Sequence, residues 1–192
     1  MADKTKIVIG VPCTGTVYAR TMFSLLYALK KVKFDYELML SMGCDLIETR
    51  TNLVNLAIEN KATHILFLDH DMFFPSNGTG DSPIQKLLDA DKDIIGVPYN
   101  KRKFPIEAID IPVTERSEKD LYKCQSIGTG LMLIKTDVFK KIPMPWFHFG
   151  RGEKGEMVYG EDTFFCQQAI KNGFNEWAEP TIFIKHLGEY HY

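Results

Sequence analysis

Short apolar runs alternate along the chain with stretches where apolar residues recur at three- and four-residue spacing, which predicts alternating strands and helices. Residues 6–12, centred on Ile7, Val8 and Ile9, read as a buried first strand closed by Pro12 and followed by a Gly/Thr loop. Over 20–31, Met22, Leu25, Leu26 and Leu29 fall at helical spacing. Further strands are predicted over 36–41, 64–69 and 93–98, and helices over 46–60 and 82–90. After residue 103, isoleucines, prolines and a charged stretch over 115–123 predict a less regular insertion. Strand character resumes over 123–135, interrupted by Gly128 and Gly130, and a short helix follows over 136–142. Residues 151–159, with Gly152 and Gly155 inside and Gly160 just behind, read as a mobile loop. A helix over 161–172 stops at Gly173, and a last strand over 181–185 delivers His186. The expected architecture is one α/β domain, a Rossmann-like mixed, mostly parallel sheet with flanking helices.

Composition narrows the function classes. The 192 residues suit one domain, and 45% hydrophobic with 25% charged residues is ordinary for a globular core. A net charge of -2 gives no general attraction for polyanions, so a nucleic-acid partner is not expected. The local basic trio Lys101, Arg102 and Lys103 reads as a solvated loop. No stretch approaches the roughly 20 apolar residues that span a bilayer, and the opening residues lack the apolar core of a signal peptide. Cys13, Cys44, Cys124 and Cys166 are scattered without a CxxC pair, so reduced thiols in a cytoplasmic protein are expected.

The chemistry gathers at three places. The apolar run over 64–68 leads into Asp69, His70 and Asp71 at a strand's carboxyl end, where open α/β sheets bind ligands. In an extended backbone Asp69 and Asp71 would converge while His70 turns aside. Two such carboxylates repel unless a cation lies between them, and hard oxygen ligands suit Mg2+ or Mn2+. The rival reading is that Asp71 caps a turn and Asp69 merely ends a strand. Glu161 and Asp162 open the helix over 161–172, where acidic side chains complement the helix dipole and only one of two neighbours faces a given ligand. His186 follows the last strand.

Taken in order, the first strand with Pro12, Asp69-x-Asp71, Gly128-x-Gly130, the Gly160-Glu161-Asp162 helix and His186 resemble the glycosyltransferases of the A fold. The resemblance runs over about residues 6–188 and is closest to compact members of the large family-two-like group, viral or bacterial. It implies a nucleotide-sugar donor, with UDP the commonest, and a divalent Mn2+ or Mg2+. It places Asp69, Asp71 and His186 on the metal, with Asp69 and His70 also on the donor side. Pro12, Cys13 and Thr14 fall on the nucleotide-recognition strand and loop, and Arg50 and Asn52 on a helix start that faces the donor. Arg50 has a rival reading as the ion-pair partner of Glu48 or Asp45. Either Asp162 or Glu161 would be the general base of an inverting transfer to a hydroxyl acceptor. The helix periodicity favours Asp162, which shares a face with Phe165 and Ala169, and leaves Glu161 to cap the helix start or to hydrogen-bond an acceptor hydroxyl. Trp146, Phe147 and Tyr159 would border the acceptor site, either as sugar-stacking rings or as packing. The acceptor stays open among a glycan, a lipid-linked sugar, a protein and a modified nucleobase. About 1–100 would be the donor half and 101–192 the acceptor half.

Two other enzymes and one binding module compete. A haloacid-dehalogenase-type phosphatase needs a Thr two residues beyond its second Asp, where Phe73 stands. A nucleotidyltransferase needs a basic, Gly-rich loop after its first strand, and residues 12–17 have none. A sugar-nucleotide-binding module without turnover would not need both Glu161 and Asp162.

Overall fold

The computed structural model describes residues 4–75, 81–102 and 105–188, so Lys103 of the basic trio lies outside the described residues. In chain order the elements are β1 (Lys6–Cys13), α1 (Ala19–Leu29), β2 (Asp35–Met42), α2 (Leu46–Glu59), β3 (His64–Leu68), β4 (Met72–Phe73), α3 (Pro83–Asp89), β5 (Ile94–Gly96) and β6 (Ile111–Pro112). They continue with β7 (Tyr122–Ser126), β8 (Leu131–Lys135), α4 (Thr136–Lys141), β9 (Gly150–Arg151), β10 (Met157–Tyr159), α5 (Glu161–Lys171), β11 (Glu176–Ala178) and β12 (Lys185–His186).

Eight strands form one sheet in the order β2-β1-β3-β8-β5-β11-β7-β6. β1 pairs parallel with β2 and β3, and β5 with β11. β8 runs antiparallel between β3 and β5, and β7 antiparallel between β11 and β6. Six of the eight strands therefore point one way, the mixed and mostly parallel sheet that the pattern predicts. Its central strands read as unbroken apolar runs because helices cover both faces. One face packs Val8, Ile65, Phe67, Met132 and Ile134 against α2, α4 and α5. The other packs Ile7, Ile9, Leu66, Leu68 and Leu133 against α1 and α3.

Local chemistry sets the helix starts. Asp45 caps α2 by accepting from the backbone N–H groups of Ile47 at 2.8 Å and Glu48 at 3.2 Å. Ser82 caps α3 ahead of Pro83, which needs no N–H donor in a first turn. Two expectations are corrected. Residues 151–159 form a hairpin and not a loose loop: β9 and β10 pair antiparallel, and the turn closes with Gly152 N–H donating to Glu156 O at 2.9 Å. The last strand of the large sheet is β11, which precedes the predicted run over 181–185. That run has buried Ile182 and Ile184 alternating with exposed Thr181 and Phe183, yet only Lys185 and His186 find a ladder partner, on β4. Burial alternation marks a half-buried extended segment whether or not a neighbouring strand is there to bond it.

β11 carries an anomaly. The Glu176 side chain is fully buried opposite Cys124, and neither of its oxygens has a hydrogen-bond partner. Burial alone pushes its carboxyl up to about 8, so it sits in the core as the neutral acid.

Candidate functional site

The carboxyl ends of β1 and β3, the start of α5 and the β4–β12 ribbon meet at one edge of the sheet. β3 ends at Leu68, and the next four residues form a turn closed by Met72 N–H donating to Asp69 O at 3.0 Å. Asp69 and Asp71 are thus not on an extended backbone, and the expectation that they converge is corrected. Each carboxylate has its own cation. Asp69 Oδ1 accepts from Arg50 Nη2 at 2.9 Å. Asp71 Oδ2 accepts from Arg102 Nη1 at 2.8 Å and lies 3.3 Å from His186 Nε2. Among the described residues no three His, Cys, Asp or Glu side chains are grouped to hold a metal ion. The expected triad of Asp69, Asp71 and His186 is therefore not assembled.

Arg50 is the hub. It is 1% exposed on α2, and its Nε also donates to Glu161 Oε1 at 3.2 Å. Its partners are Asp69 and Glu161, 19 and 111 residues away in sequence, and neither of the local acids Glu48 and Asp45. Burial disfavours the guanidinium charge, but the two carboxylates outweigh it and hold Arg50 above its ordinary value. Nη1 is buried without a hydrogen-bond partner. Asn52, two residues on and about 200° round the helix, is exposed, so the structure does not bring it to the site with Arg50.

At α5 Glu161 is buried more deeply than Asp162, against the expected order. Glu161, with Phe165, Cys166 and Ala169, forms the buried face of the helix. It does not cap the start; it is anchored to Arg50. Asp162 is half-buried, and its Oδ1 accepts from Thr163 N–H at 2.7 Å. A Cβ on Gly160 would come within 2.8 Å of that oxygen, so the glycine makes room for the folded-back carboxylate. Among the described residues Asp162 has no ion-pair partner. Burial raises the carboxyls of both Glu161 and Asp162, partly offset by Arg50 for the first and by the Thr163 N–H for the second.

Tyr99, just past β5, joins the two sides. Its hydroxyl accepts from Gly130 N–H at 3.2 Å, and a Cβ on Gly128 or Gly130 would lie under 3 Å from the phenol. Burial, then the Asp69 and Asp162 carboxylates, keep it neutral far above its ordinary value. Its ring stands perpendicular to that of His186, with centroids 5.6 Å apart. The His186 Nδ1 faces Asn100 O at 3.4 Å. For Asp71, burial would raise the carboxyl, but the His186 hydrogen bond and the Arg102 charge outweigh it and lower it.

The remaining predicted residues sit as follows. Pro12 and Cys13 are buried at the end of β1, with Thr14 exposed beyond them. His70 stacks on Tyr18 with centroids 6.1 Å apart, and its carbonyl accepts from the Thr21 hydroxyl at 3.0 Å. Trp146 and Phe147 are core residues, the packing alternative of the two: Trp146 Nε1 donates to Ile142 O, and Phe147 stacks on Phe165. Tyr159 covers Gly150, where a Cβ would meet the ring at 2.3 Å. Sequence reasoning missed Arg102, which looked like one of three solvated cations. It also missed Tyr99, whose only signal was the Gly-x-Gly spacing that leaves room for a ring.

Comparison with known proteins places this geometry. No family model and no curated protein matches the sequence. Among solved structures the chain is similar to A197 from STIV, with a TM-score of 0.68 and 17% identity over 96% of this chain and 87% of that one. It is also similar to GalNAc-T7 crystallised with UDP, GalNAc and Mn2+, with a TM-score of 0.58 and 11% identity over 97% of this chain. The match spans 44% of that longer chain. The fold is thus α/β of the glycosyltransferase A type, and among the described residues no helix is long and apolar enough to cross a membrane.

Proposed function

We propose that this chain is a glycosyltransferase that moves a sugar from a nucleoside-diphosphate donor, UDP in the first instance, to a hydroxyl acceptor with inversion. One observation carries the reading. Buried Arg50 ties Asp69 at the end of β3 to Glu161 at the start of α5, and Asp162, next to Glu161, has no ion-pair partner among the described residues. Residues of about 1–100 would form the donor half, with Pro12, Cys13, Thr14 and His70 along the nucleotide. Residues of about 101–192 would form the acceptor half.

In this reading Asp162 takes the acceptor hydroxyl proton. A base needs to be unpaired and partly desolvated, and Asp162 is both, whereas Glu161 is committed to Arg50. Tyr99, held neutral, keeps its proton and serves as a hydrogen-bond donor or acceptor within the cleft. The donor set at Asp71 and His186, a carboxylate oxygen and an imidazole nitrogen in contact, suits Mn2+ or Mg2+ once Arg102 moves off the carboxylate. A metal bound there would neutralise charge on the leaving diphosphate.

The test is incubation with a panel of nucleotide sugars, with and without Mn2+, followed by nucleoside-diphosphate release. Metal-dependent release from a UDP-sugar is expected, and no release from any donor sinks the proposal. A binding module without turnover is the second reading, favoured by the closed Asp71–Arg102 contact. It would show donor binding by calorimetry in the same panel without release.

A further inference from the structure

We propose that the face built by α1, Phe73 and the segment over 183–185 is a peripheral docking surface for a bilayer rich in anionic lipid. The segments over 18–34, 72–75 and 181–187 contain Arg20, Lys30, Lys31, Lys33 and Lys185 and none of the chain's 25 Asp and Glu residues. In a chain of net charge -2, that is a local cationic field on an otherwise acidic molecule. The same face holds three exposed large apolar side chains: Phe23 at 63%, Leu26 at 55% and Phe183 at 67%. Phe23 and Leu26 lie three apart on one side of α1 and project together.

Cations and rings interleave here. The Arg20 guanidinium lies 5.0 Å from the Phe73 ring, the Lys30 ammonium 4.3 Å from Tyr27 and the Lys185 ammonium 5.6 Å from Phe183. Between them a groove of about 560 Å³ is lined by Arg20, Phe23, Tyr27, Phe73, Phe74 and Lys185. Protruding apolar tips ringed by long basic side chains match the acyl–headgroup boundary. The tips enter the apolar layer while the amines reach the phosphates, and the groove would take a headgroup against Arg20 and Lys185. A single nucleic-acid strand fits less well: it wants ring faces presented side by side, whereas Phe23 and Tyr27 meet edge-on at 62°. Lys185 on this face immediately precedes His186 at the candidate site, so docking would bring the sheet edge to the lipid surface.

The experiment is co-sedimentation of the full chain with vesicles of phosphatidylcholine alone or with about a third phosphatidylglycerol. It needs no donor sugar, so its result stands apart from the proposed transferase activity. Binding is expected only to the anionic vesicles, weakened about tenfold or more in roughly 1 M salt, where charges are screened beyond about 3 Å. Phe23→Ala with Phe183→Ala should lower partitioning about tenfold or more, and Lys30→Glu with Lys185→Glu should lower it at least as much. All four positions are exposed, so the fold tolerates the changes. No preference for anionic vesicles, or binding untouched by both double variants, overturns the proposal. So does a dimer in light scattering that the Phe variant dissolves, since a second copy then covers the face. Capture of an oligothymidylate without vesicle binding overturns it as well.

Discussion

At the edge of the sheet the carboxylates have counter-charges: partly buried Asp69 and buried Glu161 share Arg50, and buried Asp71 has Arg102, with the His186 ring beside it. On β11, Glu176 is fully buried and has no hydrogen-bond or ion-pair partner among the described residues. The first region gives its acids counter-charges, whereas on β11 burial alone pushes the Glu176 carboxyl up to about 8. Burial disfavours the charged form of an acid, and a counter-charge offsets that cost. The edge itself is graded: Arg50 is sealed inside, Arg102 reaches in from an exposed loop, and Asp162 has no ion-pair partner among the described residues. A sealed pair braces the fold, a reachable pair can be exchanged, and an unpaired acid is left for proton transfer.

That gradient is sharpened most by the two acids of α5. Asp162→Asn should lower sugar transfer by about two to four orders of magnitude, the usual worth of a general base. Donor affinity should barely move, because Asp162 acts on the acceptor. Glu161→Gln should mainly lower stability, seen as an earlier urea midpoint. If Glu161→Gln is the crippling change and Asp162→Asn turns over normally, the assignment is reversed.

Next in size is Arg50→Met. It leaves two buried carboxylates without their shared cation, and urea unfolding at neutral pH should show a loss of about 3–5 kcal/mol. A loss under about 1 kcal/mol, typical of an exposed pair, would mean that Arg50 is not the brace described.

Glu176 should behave in the opposite sense to the edge acids. Its folded-state value of about 8 lies above the ordinary 4.5, so between those pH values only the unfolded chain ionises. The stability it provides is present below about pH 4.5, declines as pH rises and is gone above about 8. Wild-type stability should fall by about 3 kcal/mol or more across that window through this group. Asp71, whose value is lowered, contributes stability above about pH 3.8 that is lost as pH falls through its folded-state value. Urea midpoints measured across pH should show Glu176→Gln flattening the neutral limb only. A neutral slope that survives the substitution contradicts the buried neutral acid.

The smallest effect belongs to Arg102→Ala. Relieving Asp71 of an exposed competitor worth about 1 kcal/mol should tighten Mn2+ binding about five- to tenfold, read by the free-Mn2+ resonance signal or calorimetry. Stability should change far less than in Arg50→Met. Weaker Mn2+ binding in the variant would make Arg102 part of the site and not its occupant.

Local periodicity determined most of the scaffold. The runs at 6–12 and 64–69, the helices at 46–60 and 161–172 and the Gly173 boundary follow from rules acting within a few residues, and the structure keeps them within one or two positions. The short strand at Glu176 was illegible because three residues carry no period and a buried glutamate carries no apolar signal. The identity of Asp69, Asp71, Glu161, Asp162 and His186 as candidates was also local, since acids at strand and helix ends stand out in any α/β chain.

Tertiary structure alone decided how those candidates are wired. Helical periodicity put Asp162 inward and Glu161 outward, but a buried guanidinium from α2 draws Glu161 in, because charge pairing in a dry interior outweighs a position on an apolar face. An extended backbone would have joined Asp69 to Asp71, and a turn closed at Met72 parts them toward different cations. The partners of Arg50 lie 19 and 111 residues away, and Arg102 meets Asp71 across the sheet edge. Sequence names the charges within reach of their own helix or strand; only the packed chain sets which distant charge fills the space water has left.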